Sequence, residues 1–198
     1  PAEAHWPLVI MTVLTQLSVG AFGAIWLEQL AHAAAESNLQ LAPIASLVVA
    51  NLALAASALH LGRPAYAYRA LKMWRRSWLS REVLLFSAFS MVAGVYAAML
   101  WFGVPGGGYI GALTVLIGIA GVTSSACIYR VPSRPAWNTR YTLLQFNLTA
   151  GVLGPLFAAV VGGGNLRFLA IGGATMASAQ FVLLALRLVP WLSSDSLE

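Results

Sequence analysis

Apolar residues in this chain do not alternate with polar ones. They run in stretches of about twenty, separated by short polar, proline or glycine breaks. At about 1.5 Å per helical residue, such a stretch crosses about 30 Å of hydrocarbon. Lipid offers the backbone no hydrogen-bonding partner, so a crossing segment is a helix or part of a closed barrel. The missing two-residue alternation favours helices. The pattern predicts six spans, at about 8–31, 41–61, 82–103, 109–130, 141–162 and 166–189. Glu36, Ser37 and Asn38 with Pro43 break the first pair, and Gly106, Gly107 and Gly108 the third from the fourth. Pro132 and Pro135 interrupt the next connection, and Gly162 to Gly164 with Asn165 the last.

Composition points to the same class. Hydrophobic residues make up 60% of the 198 and charged residues 9%, against roughly a quarter charged in soluble domains. Mean hydropathy is +0.79. The expectation is an all-α polytopic transmembrane helix bundle, one domain over 1–198, with no soluble catalytic domain. The single cysteine, Cys127, cannot form a disulfide framework or hold an iron–sulfur cluster, which takes about four ligands. The first apolar run is too long, and too poor in preceding cations, for a cleavable signal. A start at Pro1 points to processing or trimming.

The charges have a side. An even number of spans puts both termini on one face, side A, with the connections 62–81 and 131–140; three short turns lie on side B. Arg63, Arg69, Lys72, Arg75, Arg76, Arg81, Arg130, Arg134, Arg140 and Arg187 fall at side A, and Arg167 alone at side B. Lys and Arg accumulate in cytoplasmic loops, so side A, with the termini and the 62–81 loop, is expected in the cytoplasm. Docking of a protein partner is the competing explanation. Nucleic acid is not expected despite a pI of about 9.9, because the cations flank spans.

Residues 64–81 read as an interfacial amphipathic helix. Pro64 suits a first turn; Ala67, Leu71, Trp74 and Trp78 share one face, and Arg69, Lys72 and Arg76 another. Ser80 is expected to cap the next helix, with Glu82 in its first turn. Arg69, Lys72, Trp74, Arg75, Arg76, Trp78 and Arg134 therefore form a surface for lipid headgroups or for partner docking.

Ionisable groups at membrane depth are costly and mark function by default. His60 and Glu82 stand at the side A edge, Glu28 and His32 at the side B edge. His60 closes the second span and Glu82 opens the third, which places both at one level on consecutive helices. An imidazole hydrogen-bonds a quinone carbonyl and exchanges a proton near neutral pH, and a nearby carboxylate tunes or relays it. The alternative is that both are interfacial caps. Haem is not expected: it needs two histidines on facing helices at similar depth, which His5, His32 and His60 do not supply. Gln16, Asn51, Gln145, Asn147 and Gln180 either line a transport path or join helices by hydrogen bonds. Gly20 with Ala24, and Gly118 with Val122 beside Gly121, permit close helix approach. No phosphate-cradling loop, zinc spacing or nucleophile with a base is visible, so no catalytic or metal-binding residues are assigned.

The stretch His60-Leu61-Gly62-Arg63-Pro64, then Ala70-Leu71 and Ser77-Trp78-Leu79-Ser80-Arg81-Glu82, resembles a connection in the dimethyl sulfoxide reductase membrane-anchor family, between its second and third helices. His5-Trp6-Pro7-Leu8 with Met11-Thr12-Val13 is similar to that family's start. Pro135-Ala136-Trp137 and a fifth helix with Gly154-Pro155-Leu156 extend the likeness over most of the chain. The resemblance implies an anchor that lacks haem and exchanges two electrons with the quinone pool, menaquinone or ubiquinone. It also implies two partners: an iron–sulfur electron-transfer subunit and a catalytic subunit bearing a molybdopterin cofactor. The family's quinol-site histidine and glutamate fall on His60 and Glu82, with Arg63 and Arg81 inside the same motif. A bacterial or archaeal cytoplasmic membrane follows. Members usually have eight spans; six here means a short member or an absent C-terminal helix pair. The basic side A is closer to the branch that serves cytoplasm-facing sulfite-oxidising complexes. A pure docking anchor and a transporter are the other classes the sequence admits.

Overall fold

The computed structural model describes residues 6–31, 39–60, 73–162 and 164–194. Their regular structure is helical: α1 (Trp6–Leu30), α2 (Leu41–His60), α3 (Trp78–Phe102), α4 (Gly107–Tyr129), α5 (Arg140–Val160) and α6 (Leu166–Ser194). Each expected span has its helix. Five contain long apolar segments able to cross a membrane: Leu8–Leu30, Trp78–Phe102, Gly107–Tyr129, Arg140–Val160 and Leu166–Leu188. The sixth, α2, is the shorter apolar helix, its apolar part covering Leu41–Ser57.

The largest difference at a helix start is at α3, which begins four residues before the apolar run, while α6 runs five residues past its expected end. Ser77 has extended backbone (φ −117°, ψ 125°), and its hydroxyl accepts the Ser80 N–H at 3.4 Å. Ser77 is therefore the cap, and Ser80, the expected cap, is the residue it holds. Glu82 accordingly stands in the second turn, not the first. At the other end Gly103 takes the left-handed conformation (φ 63°) and donates its N–H to Met99 O, closing the helix. Of the expected amphipathic helix, Met73–Arg76 form a turn and 78–81 belong to α3. The remainder, with Arg63, Arg69 and Lys72, lies outside the described residues, as do His5 and His32.

In lipid the hydrophobic effect does not draw helices together, so close backbone approach and interhelical hydrogen bonds must. α1 is the central element, packed against α2, α4 and α5; α3 lies on α2 and α4, and α6 on α5. Gly20 of α1 meets Ala150 and Gly154 of α5 backbone to backbone. Gly118 takes Val19 and Phe89, and Gly121 takes the Phe86 ring. Phe22 packs edge-on against Phe89 at 5.7 Å between centroids, with Tyr96 6.2 Å away. Polar links set the registers: Ser18 Oγ donates to Ser46 O (2.8 Å) and Ser90 Oγ to Asn51 Oδ1 (3.1 Å). Asn147 Nδ2 donates to Thr123 Oγ1 (3.1 Å) and Gln180 Nε2 to Thr149 Oγ1 (3.2 Å). Three of the five intramembrane amides are thus interhelical links. The Tyr96 hydroxyl donates to Gln29 Oε1 (2.8 Å). Tyr96→Phe should cost about 1 kcal/mol, read as a lower melting temperature in detergent.

Candidate functional site

The level of His60 and Glu82 follows from the α2–α3 register. The Asn51–Ser90 hydrogen bond ties the helices at one height. His60 lies nine residues beyond Asn51 and Glu82 eight residues before Ser90. At 1.5 Å per residue these are about 13 and 12 Å toward the same end of the bundle. The structure thus brings their backbones to one level; for His60 only the backbone is described.

Glu82 is almost wholly buried, at 2% exposure. Its placement has a local cause. Glu82, Phe86 and Phe89 share one helical face of α3, and Gly121 has no side chain to hold the Phe86 ring away from α4. One turn further, in antiparallel register, Glu82 reaches Ser125. The Ser125 hydroxyl is the polar group it meets there, in a geometry short of a full hydrogen bond. A carboxyl inside the end of a membrane bundle, facing a hydroxyl, is costly to keep unless it is used. Ser125 does not stand out in the sequence, although the Ser124-Ser125 pair near the end of an apolar span is the available signal.

The cations nearby are ordered against backbone and rings. Arg81 donates from Nε to Trp74 O and from Nη2 to Arg75 O, both at 2.9 Å. Its guanidinium lies 4.3 Å from the Trp78 ring centroid, and Arg75 lies 5.3 Å from that of Trp74. Arg81 therefore clamps the turn that leads into α3. Arg134 stands over Trp137 at 5.7 Å, and Trp137 packs on Tyr129. Trp74 and Trp78 are exposed, with Arg75 and Arg76 beside them in the chain.

At the opposite end, Glu28 is fully buried on α1. Its Oε1 accepts the Asn165 N–H at 2.5 Å, while Oε2 is buried without a partner. It holds the turn between α5 and α6. A third feature has no counterpart in the sequence reading. A cavity of about 380 Å³ opens between α1, α5 and α6, lined by Gln16, Gln145, Phe146, Trp137 and Arg187 among others.

Comparison with known proteins agrees with this architecture. A family described as DMSO reductase anchor subunit (DmsC) matches residues 2–190. The chain is 32% identical over 165 residues to the anaerobic dimethyl sulfoxide reductase chain YnfH of Escherichia coli, covering 79% of this chain and 57% of that one. It is 32% identical over 155 residues to an anaerobic dimethyl sulfoxide reductase chain of Haemophilus influenzae (76% and 55%). Over 130 residues it is 32% identical to a sulfite dehydrogenase subunit of Allochromatium vinosum (59% and 40%). The chain thus spans about half the length of the curated relatives it matches. No solved structure matches it. A six-helix apolar bundle and a family match over nearly its whole length lead to one assignment: the chain belongs to the DMSO reductase anchor subunit (DmsC) family.

Proposed function

We propose that this chain is the membrane-anchor, quinone-interacting subunit of a molybdopterin and iron–sulfur oxidoreductase complex. It passes electrons between the quinone pool and an iron–sulfur partner docked on side A. The observation that carries the reading is the buried Glu82 carboxyl at the level of His60. When bound, a quinone takes up two electrons and two protons on reduction, and the quinol gives them back on oxidation. The chain's own part is to hold the ring and move protons. His60 is assigned the hydrogen bond to a ring oxygen and Glu82, beside Ser125, the proton relay between the ring and side A. Arg63 belongs to the same motif, and Arg81 keeps the adjoining turn in place. The surface with Trp74, Arg75, Arg76, Trp78 and Arg134 meets lipid headgroups and the partner.

The excess of cations on side A supports a cytoplasmic placement of that face in a bacterial or archaeal membrane. It favours a sulfite-oxidising complex over a dimethyl-sulfoxide-reducing one, with electrons flowing to quinone. Reporter fusions in the 62–81 loop should be active in the cytoplasm; activity on the other side would overturn the sulfite-oxidising reading.

The central test is His60→Ala and Glu82→Gln in the assembled complex. Attachment of the catalytic subunits to the membrane should persist. Quinone-coupled turnover should fall about a hundredfold, the lower range for loss of a general acid or base. Turnover with an artificial electron carrier should be unchanged. Undiminished quinone-coupled turnover would leave a pure docking anchor as the correct reading.

A further inference from the structure

The 380 Å³ cavity lies on the far flank of the bundle from Glu82, between α1, α5 and α6; α3, which carries Glu82, packs on α2 and α4 instead. Thr142, Gln145 and Thr149 follow one face of α5 at helical spacing, and Thr12 and Gln16 lie one turn apart on α1. Trp137 and Arg187 complete the lining.

Most polar groups in the lining are already committed. Thr12 donates to Leu8 O, Thr142 to Trp137 O and Thr149 to Gln145 O. Arg187 uses one Nη2 on Ala136 O and keeps its other N–H donors. Gln16 is different. Its side chain is 5% exposed, it lines the cavity, and its amide makes no hydrogen bond among the described residues. An amide buried at that depth, about 12 Å along α1 from Leu8, costs free energy unless something in the cavity satisfies it. The half-buried amides of Gln29, Gln40, Asn147 and Gln180 bond to protein, as does the exposed Asn51. Gln16 points to a ligand.

We infer that this cavity is a second quinone-ring site, on a different flank of the bundle from the His60–Glu82 pair. The ligand class rests on the quinone reading above; the site rests on the cavity and on Gln16. Its size falls within the 300–1,000 Å³ typical of small-molecule pockets, and Phe146 and Trp137 supply aromatic walls. A carboxamide suits both states of such a ring: its N–H donates to the carbonyl of the oxidised form, and its C=O accepts from the hydroxyl of the reduced form. An anionic lipid headgroup fits less well. The cavity has one cation, and its deepest polar group is neutral.

The test is binding of 2-methyl-1,4-naphthoquinone to the complete protein in quinone-free nanodiscs, for wild type, Gln16→Leu and His60→Ala. Leucine matches the size of Gln16 and removes an unsatisfied amide, so Gln16→Leu should melt at or above the wild-type temperature. The wild type should bind two rings. Gln16→Leu should weaken one of them about tenfold and leave the other, and His60→Ala should do the converse. A photoreactive quinone should label α1 and α5 near Gln16 and Phe146. Unchanged binding in Gln16→Leu would show a water-filled cavity only and overturn this inference. Loss of all binding in His60→Ala would overturn it too and leave the proposed function standing. A wild type that binds no ring would overturn both.

Discussion

Gly154→Ala should destabilise the bundle by about 3 kcal/mol or more, at the top of the range for overpacking a close-packed interior. A Cβ on Gly154 would lie 1.9 Å from the Gly20 carbonyl carbon and 2.2 Å from the Ala21 nitrogen. Both are backbone atoms of α1, so no side-chain rotation relieves the clash; α1 and α5 must separate. Gly20→Ala meets the same contact from the other side, with Ala150 O at 1.8 Å. The helix propensity gained, about 1 kcal/mol for glycine to alanine, is smaller than the packing lost. Gly23 supplies the control. It lies one turn from Gly20 on the same helix, and a Cβ there meets nothing within 4 Å. Gly23→Ala should therefore be neutral or slightly stabilising. Melting in detergent, with monodispersity on size exclusion, separates the three variants. Equal behaviour of Gly20→Ala and Gly23→Ala would show that the α1–α5 contact does not hold the fold.

That contact also marks where sequence reasoning ends. Six helices were legible because crossing a bilayer fixes the length of each apolar run, and the polar breaks are short. Gly20 was legible as a small residue permitting close approach, but with Ala24 as its companion on the same helix. Its partner across the interface, Gly154, is more than a hundred residues away, and helical periodicity carries no information about which helix faces which. The start of α3 moved because Ser77 and Ser80 are both competent caps, and the choice depends on backbone conformation.

The candidate site was legible in part for a similar reason. His60 and Glu82 stood out because charge at membrane depth is rare, and the level they share follows from counting residues along two spans. What each side chain meets does not follow from counting. Ser125 became relevant only when Gly121 brought α4 against Phe86. The five intramembrane amides read alike in sequence, yet three join helices and two line the cavity. Arg81, one of the motif residues, has its guanidinium occupied by the preceding turn.

Gly164→Ala should cost about 3 kcal/mol or more, from two sources that a double-mutant cycle separates. Gly164 has φ +72°, where an alanine is strained by about 1–2 kcal/mol. The second source is Glu28. A Cβ at 164 would stand 1.9 Å from Glu28 Oε2 and 2.3 Å from Oε1. The carboxyl cannot easily yield, because Oε1 is fixed by the Asn165 N–H and the side chain is fully buried. Glu28→Ala alone should cost about 1–3 kcal/mol by removing the acceptor for that N–H. Glu28→Gln keeps an oxygen in the same place and should stay within about 1 kcal/mol of wild type. In Glu28→Ala with Gly164→Ala the clash is gone while the backbone strain and the lost acceptor remain, so the double loss should fall at least about 1 kcal/mol short of the sum. The buried carboxyl and the glycine are then one device, fixing the α5–α6 turn onto α1 at the end of the bundle away from His60 and Glu82. Strictly additive losses would mean that other contacts hold the turn and that Glu28 merely sits beside it.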